Sequence, residues 1–71
     1  MNKIRVAVLR GGPSEEFETS LKSGATVLEH IPKEIYFPQD IVISRGGTWH
    51  KNGGPITPHN VISHVDVVFN A

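Results

Sequence analysis

The feature that most constrains this chain is a glycine pair between an apolar run and an acidic stretch. Residues 4–9 are apolar apart from Arg5, and Gly11-Gly12 follows them, ahead of Ser14, Glu15 and Glu16. A nearly continuous apolar run is typical of a strand buried in a parallel sheet. Glycine lacks a Cβ, so the pair allows a tight turn and a close approach to a ligand. Because open α/β sheets bind ligands beyond the carboxyl ends of their strands, we expect a site here.

The acidic stretch predicts the start of a helix. Ser14 is suited to cap the first backbone N–H groups, which places Glu15 and Glu16 in the first turn. First-turn acids commonly only complement the helix dipole. The functional alternative is that one of them projects into the crevice, where a carboxylate suits an ammonium better than a phosphate. The third glycine of a dinucleotide fingerprint and the lysine of a phosphate loop are both missing.

The rest of the pattern predicts a small α/β fold. The expected elements are a strand at residues 3–9, a helix at 14–31, a strand at 40–44, an edge strand at 48–50, a short helix at 57–62 and a buried last strand at 65–69. Pro32 should end the long helix, and Thr57-Pro58 should begin the short one. Residues 51–55 read as a loop. This order predicts a Rossmann-like, mostly parallel sheet with flanking helices, right-handed crossovers and an edge hairpin.

Length and composition limit the classes of protein that are possible. A chain of 71 residues is at most one small domain. Seven basic and seven acidic residues give a formal charge of zero, which argues against a nucleic-acid partner. No apolar run approaches the ~18 residues of a membrane span, so we expect no membrane partner. The absence of cysteine excludes a disulfide framework and fits a cytoplasmic protein.

Four histidines and a tryptophan could suggest other chemistry. His30, His50, His59 and His64 lack the paired spacing of a zinc site, so we expect surface or structurally bonded histidines. Trp49 is expected to pack against the sheet rather than to serve as a binding platform.

Two small residues lie inside the long predicted helix. Ser20 lies about two turns in and belongs to no nucleophile–base arrangement, so its spacing gives it no catalytic role. Gly24 should cost about 1 kcal/mol relative to Ala within a helix, and we expect it to allow close packing against the sheet.

The combined pattern resembles the N-terminal segment of the D-alanine–D-alanine ligases. The residues that carry the resemblance are 3–9, Gly11-Gly12, 14–16, 20–24, 47–49 and 66–71. The resemblance implies a pre-ATP-grasp fold and a single N-terminal substrate-binding domain at residues 1–71, a fragment of a larger ligase. It implies that Glu16 is a catalytic residue that receives the ammonium of the first D-alanine. Gly11, Gly12 and Ser14 would complete the substrate-binding residues.

The resemblance also implies the activity of the complete protein. ATP and magnesium would be used to phosphorylate one D-alanine, and the amine of a second would attack the acyl phosphate to give a dipeptide for peptidoglycan. Neither cofactor nor metal would be bound by residues 1–71, and this segment alone is expected to be inactive. As a fragment it is also expected to expose apolar surface around its last strand. The expected partners are D-alanine, the remaining ATP-grasp domains of the same chain and, at full length, a second copy in a homodimer. Whether the second substrate is D-alanine or D-lactate is left open by the resemblance.

Two positions depart from the family pattern. Arg10 stands where an apolar or small residue usually precedes the glycine pair, and Phe17 stands where His or Arg is common. Two other classes of function remain open on the residues alone. One is a non-catalytic, flavodoxin-like small-molecule module, and the other is an interaction domain in which Gly11-Gly12 is only a turn.

Overall fold

The computed structural model describes residues 2–71 as one mixed sheet with two helices. In chain order the elements are β1 (Ile4–Gly11), α1 (Phe17–His30), β2 (Tyr36–Ile43), β3 (Trp49–Lys51), β4 (Gly54–Pro55), α2 (Pro58–Ile62) and β5 (Val67–Asn70). The strand order across the sheet is β4-β3-β2-β1-β5. The predicted α/β class is therefore confirmed, with a sheet that is mixed rather than wholly parallel.

The central strand β1 has a parallel neighbour on each side. It pairs with β2 along its whole length and with β5 from Val6 to Leu9. The connection through α1 leads to β2, whereas the connection through α2 leads to β5, on the opposite side of β1. The strand order therefore reverses at β1, which is where open α/β sheets form a ligand crevice at their carboxyl edge.

Side chains of β1 alternate between the two faces of the sheet. Ala7 and Leu9 form a core with Ile41 and with Val61 of α2. Partly buried side chains that pack on this core are Ile43, Trp49, Ile56 and Val65. Trp49 is thus a packing residue, as predicted.

The opposite face of β1 is covered by α1. Gly24 of this helix lies so close to β1 that a Cβ would be 2.6 Å from the Cβ of Arg10. The expected use of Gly24 in close packing is confirmed.

The long helix begins later than predicted. The Ser14 hydroxyl accepts a hydrogen bond from the Glu16 N–H at 3.1 Å, and the Ser14 carbonyl accepts one from the Phe17 N–H at 3.2 Å. These bonds make a turn ahead of the helix, because a serine side chain can bond the amide two residues on instead of capping a helix. The prediction that Ser14 is the N-cap is wrong: Glu16 is the N-cap, with no side-chain capping bond. Glu15 and Glu16 consequently precede the first turn.

The helix ends are otherwise as the sequence indicates. The backbone becomes extended at Ile31, directly before Pro32. In the short helix, the Thr57 hydroxyl accepts a hydrogen bond from the Asn60 N–H at 3.2 Å, and Pro58 occupies the first turn. Among residues 2–71, neither helix combines the length and apolar character needed to cross a bilayer.

Strand β4 was not predicted, because residues 51–55 were expected to form a loop. Asn52 and Gly53 have φ angles of 53° and 82°, the positive values that a two-residue type I′ hairpin turn requires. Lys51 and Gly54 pair across this turn. Asn-Gly between two short strands is a strong hairpin signal, and it was available in the sequence.

Strand β2 begins at Tyr36 rather than at residue 40. It passes through Pro38, which has no N–H to donate to a neighbouring strand. Since β3 pairs only with Ile41–Ile43, this part of β2 has an open edge away from β1, so the proline removes no ladder bond.

The last strand is exposed instead of buried. Val67, Val68 and Phe69 are 48%, 43% and 46% exposed, so the burial that the apolar pattern predicts is absent, whereas the exposed apolar surface expected around the last strand of a fragment is present. The reason is position: β5 is an edge strand that pairs only with β1 in residues 2–71, and α1 packs chiefly on β1. An apolar edge strand has the same residue pattern as a central strand, so the sequence does not distinguish them.

Candidate functional site

The predicted loop lies at the carboxyl edge of the three parallel strands. Gly11 pairs with Ile43 at the end of β2, and Leu9 pairs with Asn70 at the end of β5. The loop at residues 12–16 therefore leaves β1 between the ends of its two neighbours. This placement of the loop confirms the sequence prediction.

The two glycines are required for different reasons. Gly11 and Gly12 have φ angles of 94° and 103°, a region that other residues rarely adopt. A Cβ on Gly11 would collide with the carbonyl oxygen of Ile43, whereas one on Gly12 would meet no atom within 4 Å. The Gly12 N–H donates to the same Ile43 carbonyl at 2.8 Å. Gly11 thus fits the backbone against β2, whereas Gly12 is required for its positive φ angle.

Two carboxylates stand at the end of this loop. Glu15 and Glu16 are both exposed, and neither forms an ion pair within residues 2–71. The Glu16 carbonyl accepts the Ser20 N–H at 2.8 Å, which fixes its backbone to the first turn of α1. An exposed carboxylate at this position is available to a cationic ligand group.

Ser20 is a residue of this edge that the sequence reasoning missed. Its hydroxyl accepts a hydrogen bond from the Gly11 N–H at 2.9 Å and donates one to the Ala71 carbonyl at 2.8 Å. Within residues 2–71 it is the one buried polar side chain, at 9% exposure. Ser20 and Gly24 are small residues four apart, so they share the helix face that meets the sheet. That spacing was the available signal.

Arg10 is held by the neighbouring strand. Its guanidinium donates from Nε and Nη2 to the two carboxylate oxygens of Asp40, each at 2.7 Å, and from Nη1 to the Leu21 carbonyl at 3.2 Å. The hydrogen bonds to Asp40 raise the pKa of Arg10 above its usual range. Arg10 thus joins β1, β2 and α1, which explains why a long cationic side chain is accommodated before the glycine pair.

Phe17 contacts the turn that follows β2. The Arg45 guanidinium lies over the Phe17 ring, 4.3 Å from its centroid, which is within the range of a cation–π interaction. The start of α1 is therefore attached to the β2–β3 turn beside the loop.

The histidines do not form a metal centre. The Nδ1 atoms of His30 and His64 lie 2.9 Å from the Thr26 carbonyl and 2.7 Å from the Asn60 carbonyl, four residues earlier in each case. His50 is half-buried on β3, and His59 is exposed on α2. Within residues 2–71 no group of three or more His, Asp or Glu could hold a metal ion.

Comparison with known proteins gives the class of protein. No family model matches the chain. It is 43% identical over 56 residues to the D-alanine–D-alanine ligase of Ruminiclostridium cellulolyticum, an alignment that covers 79% of this chain and 15% of that ligase. It is 47% identical over 49 residues to the vancomycin/teicoplanin A-type resistance protein VanA of Enterococcus faecium, covering 69% and 14%.

A solved structure supports the same assignment. The crystal structure of the VanG D-Ala:D-Ser ligase from Enterococcus faecalis aligns with a TM-score of 0.68 and 31% identity, over 87% of this chain and 18% of that one. Fold and sequence together therefore place the chain among ligases. It belongs to the D-alanine–D-alanine ligase family and matches the N-terminal region of these enzymes. The chain spans less than a fifth of the length of each of these relatives.

The four site residues expected from sequence lie in one segment. Gly11, Gly12, Ser14 and Glu16 all belong to the carboxyl-edge turn, where Ser14 and Glu16 are exposed. The structure brings Ile43, Ser20 and Ala71 to the same place from three other elements. The matches favour the ligase interpretation over the flavodoxin-like or interaction module.

Proposed function

We propose that the full-length protein is an ATP-dependent D-alanine–D-alanine ligase and that this chain forms part of its first D-alanine site. The observation that carries the proposal is the exposed Glu16 carboxylate, at the N-cap of α1 and at the carboxyl edge of β1. The family membership supplies the reaction class, and this placement supplies a position for a cationic substrate group.

The proposed reaction has two steps. The γ-phosphoryl group of ATP passes to the carboxylate of the first D-alanine, which gives an acyl phosphate and ADP. The amine of the second D-alanine then attacks the carbonyl carbon, and phosphate leaves as the dipeptide for peptidoglycan forms. Phosphoryl transfer depends on magnesium and cationic groups that stabilise the developing negative charge. The acidic loop of this chain would repel the phosphates of ATP, so we assign ATP, and on the family resemblance magnesium with it, to other parts of an ATP-grasp protein.

Within this chain the roles divide as follows. Glu16 accepts charge-assisted hydrogen bonds from the ammonium of the first D-alanine. Gly12 leaves room for the substrate, Gly11 fixes the loop against β2, and Ser14 shapes the turn that presents Glu16. We also propose, on the family resemblance, that the complete enzyme is a cytoplasmic homodimer.

The first test is Glu16→Gln in the full-length protein. Glu16 is exposed in this chain, and in the proposed site the bound substrate and the rest of the full-length protein enclose its charge pair. Truncating one partner of a buried, hydrogen-bonded charge pair costs about 2–5 kcal/mol. We therefore expect use of the first D-alanine to weaken on the order of 30-fold or more, at about 1.4 kcal/mol per tenfold. The KM for ATP should change little. Steady-state assays that follow ADP release and dipeptide formation measure both quantities.

Glu15→Gln is the matched control, because both carboxylates are exposed and the family resemblance assigns the ammonium contact to Glu16 alone. Equal losses from the two substitutions, or a larger loss from Glu15→Gln, would show that the carboxylate is wrongly assigned. Supplying D-alanine, D-serine or D-lactate as the second substrate identifies the acceptor. If none of the three substrates gives an ATP-dependent product, the proposed function itself is refuted.

A further inference from the structure

Ser20 makes three hydrogen bonds that converge on the carboxyl edge of the sheet. Its hydroxyl accepts the Gly11 N–H at 2.9 Å and donates to the Ala71 carbonyl at 2.8 Å, while its own N–H donates to the Glu16 carbonyl at 2.8 Å. Gly11 and Glu16 are the two ends of the predicted binding loop. The N–H bond is the first main-chain bond of α1 and needs no serine side chain, whereas the hydroxyl links this first turn to the end of β1 and to the backbone that follows β5.

The loop between these anchors has few other attachments. Residues 13–16 are exposed, and Ser14 bonds only within the turn. Gly12 donates to Ile43 at the beginning of the loop, and just past its end the Arg45 guanidinium lies over the Phe17 ring. The Ser20 hydroxyl adds the link that joins the first turn of α1, which follows Glu16, to the end of β1 and to the backbone after β5.

We propose that Ser20 is a positioning residue for the first D-alanine site. This inference rests on the proposed function and deepens it: Glu16 meets the ammonium, and Ser20 holds the loop so that Glu16 and the segment after β5 keep a fixed separation. No substrate contact is assigned to Ser20 itself, because the residue is 9% exposed and its hydroxyl already accepts one hydrogen bond and donates another.

A hydroxyl is the chemical group that this role requires. Its oxygen accepts from one backbone group and its hydrogen is donated to another, which a methyl group cannot do. Removing the hydroxyl takes a hydrogen-bond partner from the Gly11 N–H and from the Ala71 carbonyl, both of which are part-buried. The first turn of α1, which follows Glu16, then loses its side-chain link to the ends of β1 and β5.

The experiment compares four variants of the full-length ligase. Ser20→Ala removes the hydroxyl, Ser20→Cys keeps a similar volume with a weak donor and acceptor, and Ser20→Thr restores a hydroxyl. Ser23→Ala is the control, an exposed serine on the same helix. We expect Ser20→Ala and Ser20→Cys to raise the KM for the first D-alanine on the order of tenfold, equivalent to about 1.4 kcal/mol. Ser20→Thr should restore most of the affinity for the first D-alanine. Ser23→Ala should leave the KM for D-alanine unchanged, and the KM for ATP should stay the same in all four variants.

A double substitution separates positioning from general stability. If Ser20 acts through Glu16, Ser20→Ala combined with Glu16→Gln raises the KM for the first D-alanine no further than Glu16→Gln alone, since coupled residues are non-additive. The inference would be overturned if the two substitutions multiplied their effects on the KM for the first D-alanine. It would also be overturned if Ser20→Ala lowered kcat and raised the KM for ATP by the same factor. If Ser20→Ala does not fold, Ser20→Cys decides the same question. A wild-type enzyme with no D-alanine-dependent activity, or a harmless Glu16→Gln, would instead refute the proposed function.

Discussion

At the scale of single residues, close backbone packing governs where glycine is required. Gly24 illustrates this, because it lies against the Arg10 side chain, whose guanidinium is fixed by two hydrogen bonds to Asp40. A new Cβ would lie 2.6 Å from the Arg10 Cβ and 2.7 Å from its Cδ. Either Arg10 gives up its ion pair or the helix moves away from the sheet.

We therefore predict that Gly24→Ala destabilises the protein. Alanine is favoured over glycine within a helix by about 1 kcal/mol, but overpacking a tight contact typically costs about 1–3 kcal/mol. The clash should dominate, so the midpoint of urea unfolding should fall. Ser23→Ala, on the exposed side of the same helix, should leave the midpoint almost unchanged. An increase in stability for Gly24→Ala would show that Arg10 yields freely.

At the scale of elements, the β3–β4 hairpin depends on its two-residue turn. Gly53 has a φ of 82°, whereas Gly46 in the β2–β3 turn lies outside the positive region. A Cβ added at Gly46 would have only the Ser44 hydroxyl oxygen nearby, at 3.9 Å. The two glycines therefore differ in what an added Cβ would cost.

Gly53→Ala should destabilise the protein by about 1–2 kcal/mol, because an alanine in a left-handed conformation is strained. Gly46→Ala is the matched comparison and should be neutral or slightly stabilising, since it reduces the freedom of the unfolded chain. Thermal unfolding followed by circular dichroism compares the two variants. Equal effects would contradict the type I′ turn.

The attachment of β5 to β1 begins with an ion pair. The Arg5 backbone N–H and guanidinium donate to the Asp66 carboxylate, and the Asp66 N–H donates to the Arg5 carbonyl at 2.8 Å. Hydrogen bonds from the Arg5 side chain, and then from its backbone, lower the pKa of Asp66 below its ordinary 3.8. Both side chains are about half exposed, so the contribution is small and sensitive to salt.

The sign of the pH dependence follows from the lowered pKa. This contribution to stability is fully present above the ordinary value of 3.8 and is lost as the pH falls through the lower, folded-state pKa. Asp66→Asn should therefore flatten the acid side of the stability curve without changing its shape near neutral pH. Urea midpoints measured across the acid range at low salt test this. An unchanged acid limb in the variant would contradict the role of the pair.

At the scale of the whole molecule, the chain has the proposed role of supplying one wall of a substrate site in a larger ligase. It spans less than a fifth of the ligases it matches, and its loop carries carboxylates rather than phosphate-binding groups. The exposed apolar strand β5 is the edge of the sheet in residues 2–71.

The 71-residue chain alone should therefore form no dipeptide from D-alanine and ATP with magnesium. The expected result is phosphate release at the background rate, whether or not D-alanine is present. Coupled-enzyme detection of inorganic phosphate measures this rate, with the full-length ligase as the positive control. Phosphate release that depends on D-alanine would place ATP chemistry within these residues.

The sequence by itself determined the features that depend on neighbouring residues. The glycine turn after β1, the end of α1 before Pro32 and the cap at Thr57 follow from local backbone chemistry, and so does the α/β order that places the loop at the carboxyl edge. Tertiary structure decided what depends on residues distant in the chain. Ser20 meets Ala71 across 51 positions, and Arg10 meets Asp40 across 30. The exposure of β5 likewise depends on its place in the sheet, because strand pairing and helix packing, not residue type, decide which apolar strand is covered.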